Sequence, residues 1–358
     1  MKIVIDARFT RTDHHDGISR YGSSLIAAVS KIADVSMLIS DLRQLALLPD
    51  VPYTLISSPL SPTELFVARK VNQLGADVVV CPMQTMGTWG RKYGLVLTLH
   101  DLIYYEHPAP PGFLPAPVRI LWRLYHKAFW PQRLLLNRAD VVATISRTTE
   151  ALMAKYRLTS RPVRIVSNAP QPAQQPRDPA AAPEKTLLYM GSFMPYKNVE
   201  TMLAGMAGLP DYTLHLLSRV TPHRRAELEA LIPSGANVVF HNGVTDDEYT
   251  ALLNRTTALV TLSKAEGYGL PLVEAMALGT PVIASDIPIF REVGADTAAY
   301  VDPESAPEFA AAVRDLGDGQ HWQDVSRRSV ARAQQFSWDE SARQLVDVAA
   351  EVMALRRK

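Results

Sequence analysis

The sequence predicts an α/β protein built as two doubly wound, Rossmann-like parallel sheets. Three observations carry that expectation. Short apolar runs alternate with helical patterns along all 358 residues, as strands and crossover helices do in parallel sheets. A tract rich in Pro, Ala and Gln, from Pro170 to Pro183, separates two such series and reads as a domain linker. The length suits two domains of ordinary size, each large enough for its own core.

In chain order, the first series of strand candidates is KIVIDAR from Lys2, VSMLIS from Val35, YTLISS from Tyr53, DVVVCP from Asp77, LVLTLHD from Leu95, DVVATIS from Asp140 and VRIVSNAP from Val163. The second is KTLLYMG from Lys185, YTLHLLS from Tyr212, NVVFHNG from Asn237, ALVTLS from Ala258, PVIASD from Pro281 and AAYVDP from Ala298. Most are short apolar runs closed by polar residues, which is how strands buried on both faces read. The last stretch, FSWDESARQLVDVAAEVMALRRK, is an amphipathic helix with Ser337 or Asp339 near its start, and Trp338 reads as packing. Ligands of doubly wound sheets sit at the carboxyl ends of the strands, so two facing domains would enclose a cleft.

Composition excludes several classes. The 37 basic and 36 acidic residues nearly cancel, so no global field argues for nucleic acid. The single cysteine, Cys81, excludes an intramolecular disulfide framework and fits a reducing cytoplasm. MKIVIDAR reads as a strand, not a signal peptide. No apolar run approaches the ~18 residues of a membrane span, so a soluble chain, peripheral at most, is expected.

The stretch from Ser263 to Asp286, SKAEGYGLPLVEAMALGTPVIASD, organises the second half. It reads as a loop, a helix through Ala277 and the next strand, following ALVTLS. Pro271 suits the first turn of a helix, and Gly279 the position just past its end. Gly267 and Gly269 let the backbone come close to a ligand, and the helix N-terminus behind them offers free N–H groups to an anion. Glu266 before the helix and Glu274 in about its first turn border the same mouth. Two carboxylates are a poor phosphate cradle unless they hold hydroxyls, and a nucleotide sugar carries both features. The bland alternative is a helix-dipole role for Glu274 and a solvated loop residue at Glu266.

Elsewhere, the loop Phe9–Asp16 precedes a helix opened by Gly17 and carrying Arg20 and Tyr21. His14, His15 and Asp16 read as a polar loop, since no second cluster stands at ligand spacing. His100 and Asp101 fall at the carboxyl end of an apolar strand, where Asp101 reads as a loop acceptor or cap. Lys197 stands near a helix start, unfavourable by dipole alone, which favours a phosphate partner. Asp246 and Asp247 read as a helix N-cap pair. The segment Val118–Asp140 is basic and aromatic, an amphipathic helix interrupted near Pro131. Its preferred reading is a surface helix whose aromatics pack on its own domain. Peripheral membrane contact through Arg119 to Arg133 is the sharper alternative.

The central stretch, E-G-Y-G-L-P-x-x-E-A-M-A-x-G-x-P-V-I-A-S, resembles the acidic motif of family 4 retaining glycosyltransferases, with Glu266 and Glu274 as its two glutamates. The resemblance implies the GT-B fold. Residues 1–170 would be an acceptor-side domain, 171–184 the linker and 185–335 the nucleotide-sugar domain, with a helix over 336–358 crossing back to the first. It implies Gly17 near the donor phosphates and His100 on the far side of the transferred sugar. It sets Lys197 on the donor diphosphate, the Gly243–Val244 backbone against the base, Glu266 on sugar hydroxyls and Glu274 on the ribose. Gly267, Tyr268, Gly269 and Leu270 complete the donor loop. The family's usual arginine near Lys197 is missing, since Ser192 and Tyr196 stand there; Arg219 is one substitute. No Asp-x-Asp occurs, which argues against a metal-bridged diphosphate. No carboxylate is evidently placed as a nucleophile, so the resemblance implies front-face transfer assisted by the leaving phosphate.

DARFT…GISRY and GSFMPYKN are similar to bacterial polysaccharide mannosyltransferases. GDP-mannose is therefore the first-choice donor and a UDP-hexose the second, with a glycan or glycolipid hydroxyl as acceptor and no cofactor or metal. A nucleotide-sugar epimerase and a non-catalytic nucleotide-sugar sensor are the readings from other classes.

Overall fold

A computed structural model describes residues 1–110, 116–171 and 175–357. Among the described residues, thirteen strands form two all-parallel sheets. The first holds β1 (Lys2–Asp6), β2 (Asp34–Ile39), β3 (Tyr53–Leu55), β4 (Val78–Cys81), β5 (Gly94–Leu99), β6 (Val141–Thr144) and β7 (Val163–Ile165), in the order β3-β2-β1-β4-β5-β6-β7. The second holds β8 (Glu184–Tyr189), β9 (Thr213–Leu216), β10 (Asn237–Phe240), β11 (Thr256–Thr261), β12 (Val282–Ser285) and β13 (Ala299–Val301), in the order β10-β9-β8-β11-β12-β13. Every expected strand is present. Both orders reverse direction once, at β1/β4 and at β8/β11, which is the dinucleotide-fold pattern.

The chain divides into two compact units, Met1–Ala169 with Ser337–Lys358, and Pro170–Phe336. In the first, β4, β5 and β6 are buried along their whole lengths, and Val79, Leu97 and Val142 lie in one core with Val67, Val71 and Leu136. In the second, Leu187, Leu214, Val260 and Ile283 meet Met202, Phe309 and Trp322. At about 25 cal/mol per Å² of apolar surface removed from water, such layers are the main stabilising term.

The helix Trp338–Arg357 belongs to the first unit. Its Trp338 ring meets Tyr21 edge-on at 5.9 Å, and Ser341 Oγ donates to Ser167 O at 2.7 Å. It lies so close to β5 that a Cβ on Gly94 would sit 2.2 Å from Val352 Cγ1. Ser337 caps it, its Oγ accepting from Glu340 N. Within the linker tract, Arg177 donates to Thr256 O and lies over the Trp322 ring, contacts that belong to the second unit.

The basic aromatic segment folds as Ala116–Tyr125 and Trp130–Leu136, with Pro131 in the first turn of the second helix. The other capping expectation is corrected. Thr245, not the Asp246–Asp247 pair, caps the helix Asp246–Leu253: its hydroxyl accepts from Glu248 N while the Glu248 carboxylate accepts from Thr245 N. A hydroxyl one residue earlier reaches the free N–H groups, leaving the two aspartates in the first turn where the dipole favours them.

Candidate active site

The loops after β8 and β11 leave neighbouring strands at the point where the second sheet reverses. A cross-stitch of hydrogen bonds holds them together. Lys264 N donates to Tyr196 O at 2.8 Å, and Asn198 Nδ2 donates to Leu262 O at 3.0 Å and to Pro303 O at 2.6 Å. Asn198 is buried and left-handed, with φ 54°, a backbone that asparagine tolerates better than most residues. It fixes Lys197, the last residue of a 3₁₀ turn, against the helix Val199–Gly205.

Lys197 Nζ meets Glu266 Oε1 at 2.5 Å, and both side chains are about 15% exposed. Ser263 Oγ donates to the same oxygen at 2.9 Å, and Ser285 Oγ from β12 holds Ser263 O at 2.5 Å. Residues beyond β8 and β11 therefore meet on one carboxylate, and β12 steadies the second of them through Ser263 O. The carboxylate's second oxygen, Oε2, accepts no hydrogen bond among the described residues. The structure also gives Lys197 an internal counter-ion, a partner the dipole argument did not anticipate. Sequence reasoning missed Ser263 and Asn198 as positioning residues; the only signal was an asparagine directly before a helix.

Gly269 caps the helix Leu270–Ala277 with φ 93°, and a Cβ there would meet Phe290 at 2.9 Å, so both backbone and packing require glycine. Leu270 and Pro271 open the helix, whose first N–H groups lack side-chain caps. Gly267 and Tyr268 are buried; burial raises the Tyr268 hydroxyl above its ordinary pKa, and its ring meets Phe336 edge-on at 6.3 Å. Glu274 is half-buried and stands fifth in the helix, one residue later than Pro271 as the first helical position would put it.

Along the same sheet edge, Gly191 N donates to Ser218 Oγ at 3.1 Å, and Ser192 is exposed, with its carbonyl accepting from Tyr189 Oη at 2.6 Å. Arg219 lies against Gly243, its Nε 3.3 Å from where a Cβ would be, beside half-buried Val244. Arg219 has no ion-pair partner among the described residues. Arg224 reaches the same region, donating to Phe193 O, but Glu200 and Glu227 neutralise it. Of these two arginines, Arg219 is the one whose charge is left for a ligand.

In the first unit, His100 follows β5 and donates from Nε2 to Pro82 O at 2.7 Å, because a carbonyl can only accept. Nδ1 is then the acceptor nitrogen. Burial lowers the imidazole's pKa despite the Pro82 carbonyl, so the ring is neutral near pH 7. Tyr21 meets it edge-on at 5.1 Å. Asp16 caps the helix Gly17–Val29 through Ser19 N and pairs with Arg11 at 2.6 Å, which accounts for it without a metal. Gly17 has open space around it: a Cβ would meet nothing within 4 Å. Asp101 accepts from Ile103 N at 3.0 Å.

Two family models match the chain: Glycosyltransferase Family 4 over residues 40–172, and Glycosyl transferases group 1 over residues 171–335. The chain is 25% identical over 325 residues to the O-antigen chain mannosyltransferase RfbU of Salmonella typhimurium, covering 84% of this chain and 87% of that one. It is 28% identical over 181 residues to the GDP-mannose:cellobiosyl-diphosphopolyprenol alpha-mannosyltransferase of Xanthomonas campestris, covering 48% and 47%. Among solved structures, sucrose-phosphate synthase of Thermosynechococcus elongatus matches with TM-score 0.75 at 21% identity, covering 99% of each chain. The two models together match residues 40–335, and the chain belongs to the glycosyltransferases of the GT-B fold, with bacterial mannosyltransferases among its relatives.

Proposed function

We propose that this glycosyltransferase is a retaining, metal-independent mannosyltransferase that takes mannose from GDP-mannose and passes it to a hydroxyl of a glycan or glycolipid in the cytoplasm. One observation carries the reading: Lys197 and Glu266 meet at the reversal point of the second sheet, beside the uncapped N-terminus of the helix Leu270–Ala277. A cation and free N–H groups at that point suit a departing diphosphate, where negative charge grows as the glycosidic bond breaks. The unengaged Oε2 of Glu266 suits a sugar hydroxyl, and Glu274 one turn along suits the ribose. His100, neutral with Nδ1 as acceptor, suits a further sugar hydroxyl. The mannosyltransferase relatives support the sugar, and the donor in one relative's name supports the base.

The test is a donor screen by thermal shift with GDP-mannose, UDP-glucose and ADP-glucose in excess EDTA, followed by transfer and determination of the product anomer. A ligand at a hundred times its Kd adds ~2.7 kcal/mol of stability. GDP-mannose is expected to raise Tm and to yield the α-linked product without added metal. A response to UDP-glucose alone reassigns the donor. Activity that needs Mg²⁺ or Mn²⁺ removes metal independence, and a β-linked product removes retention.

A further inference from the structure

We infer that Phe66, Arg69 and Trp89 form a surface site that holds a sugar ring of a glycan chain, outside the crevice at the carboxyl edge of the first sheet. The two rings are neighbours, with centroids 5.1 Å apart and planes tilted by 41°. The Arg69 guanidinium lies 5.2 Å from the Trp89 ring and 5.4 Å from the Phe66 ring, one cation over both. Trp89 is 61% exposed and Phe66 42%. A ring left in water needs no explanation on a loose loop, but this loop is held. Gly87 N donates to Glu64 Oε1 at 2.9 Å, and the backbones are so close that a Cβ on Gly87 would sit 1.7 Å from Glu64 O. Glu64 is itself held by buried Arg8, which also pairs with Asp6. Past Trp89, Asn72 Nδ2 donates to Gly90 O at 2.8 Å while its Oδ1 accepts from Lys92 N at 2.9 Å. The indole is therefore presented on a fixed backbone, so little ordering is left to be paid when a ligand docks on it.

Ring chemistry and area select the occupant. A hexose ring offers C–H groups on a face and hydroxyls around its rim; aromatic faces take the first, and guanidinium N–H groups donate to the second. Arg69 is exposed and has no ion-pair partner among the described residues. The two rings leave roughly 200 Å² open, about half of what such a pair can bury. Exposed Leu65 adds one more side chain, and the total stays far below the ~800 Å² per partner of a stable protein interface. Single-stranded nucleic acid calls for rings strung along a basic groove. Here Arg91 is taken by Asp140, and the charges of the whole protein nearly cancel. Asn72 closes the helix that leads into β4, and Lys92 leads into β5, so the platform lies on the flank of the first sheet toward its amino edge. A glycan long enough to reach that flank would be held there while its end is extended. The inference rests on the glycan acceptor of the reading above and uses nothing about donor or stereochemistry.

The experiment is affinity electrophoresis of the full chain through native gels cast with α-mannan, with dextran, with poly(dT) or with no polymer. Wild type is expected to be retarded by α-mannan. Trp89→Ala should weaken that retention ~10-fold, and Phe66→Ala or Arg69→Gln by roughly 3-fold, the scale of single ring and cation contacts. Trp130→Ala, which removes an exposed indole elsewhere, should leave it unchanged. All the replaced side chains are exposed, and circular dichroism confirms the fold. Retardation by either glycan that Trp89→Ala loses supports the site. No donor is present, so loss of the GDP-mannose or retention reading leaves this result standing. A wild type retarded by neither glycan overturns the inference while the donor screen can still succeed, as does retention that Trp89→Ala leaves intact. Stronger retention by poly(dT) than by α-mannan also overturns it, and so does a dimer in sedimentation velocity that Trp89→Ala abolishes.

Discussion

Replacing Glu266 by glutamine should move two properties in opposite directions. The carboxylate holds Lys197 at 2.5 Å, so a diphosphate arriving at that lysine meets a negative charge already beside it. Unit charges about 4 Å apart interact by ~4 kcal/mol at an effective dielectric of ~20. The pair is about 15% exposed, so water screens part of this, and relief of ~1–2 kcal/mol is a reasonable share. The free nucleoside diphosphate is therefore expected to bind Glu266→Gln about 5- to 30-fold more tightly than wild type. Turnover should fall instead, by about 10- to 100-fold, because a sugar hydroxyl loses a charged acceptor worth ~1.5–3 kcal/mol. Ser263 can still donate to the amide oxygen, so the loop should keep its shape. Calorimetry with the diphosphate and steady-state kinetics with the intact donor read the two effects separately. Unchanged or weaker diphosphate binding in a folded variant would refute the idea that Glu266 and the leaving group compete for one lysine.

Three further outcomes are expected. Lys197→Ala should lower kcat by ~100- to 1,000-fold with a smaller change in donor KM, since a fixed cation matters most as the diphosphate departs; a kcat within a few-fold of wild type removes that role. Gly17→Ala should leave the urea midpoint unchanged or slightly raised, because a Cβ there meets nothing within 4 Å, while donor KM rises if a ligand approaches that backbone. His215 Nδ1 lies 2.8 Å from His241 Nε2, and burial, then His241 and Arg255, lower the His215 pKa. A lowered folded value means the unfolded chain takes the proton first. That stability is complete above the ordinary histidine value of about 6.5 and declines as pH falls below it. His215→Ala should flatten this slope in urea titrations between pH 7 and 5; an unchanged slope would place the acid sensitivity elsewhere.

The strands were legible because both faces of each sheet are covered, so Val78–Cys81 and Thr256–Thr261 read as unbroken apolar or β-branched runs. Gly279 was legible because a glycine just past a helix end supplies positive φ, here 77°; Gly269, read as a close approach to a ligand, also needs glycine for its own φ of 93°. What sequence could not supply was strand order. Lys197 and Glu266 are 69 residues apart, and they meet because β8 and β11 are neighbours, which no local pattern records. Lys197 therefore looked like a cation in search of a phosphate when its first partner was a carboxylate of the same chain.

The basic segment was legible in part: its aromatics pack on their own unit, as the preferred reading has it, but which other face is left outside was not. Periodicity shows that a helix has faces, but here both are apolar: Trp122, His126 and Phe129 on one, Ile120, Leu121 and Leu124 on the other. A hydrophobic pattern of this kind predicts a helix and is silent on which side the protein covers. The rings settle it, because Tyr104, Tyr105 and Tyr156 are in reach only on one side, and each ring contact buries more area than an aliphatic one would. The aliphatic residues are left outside as a consequence.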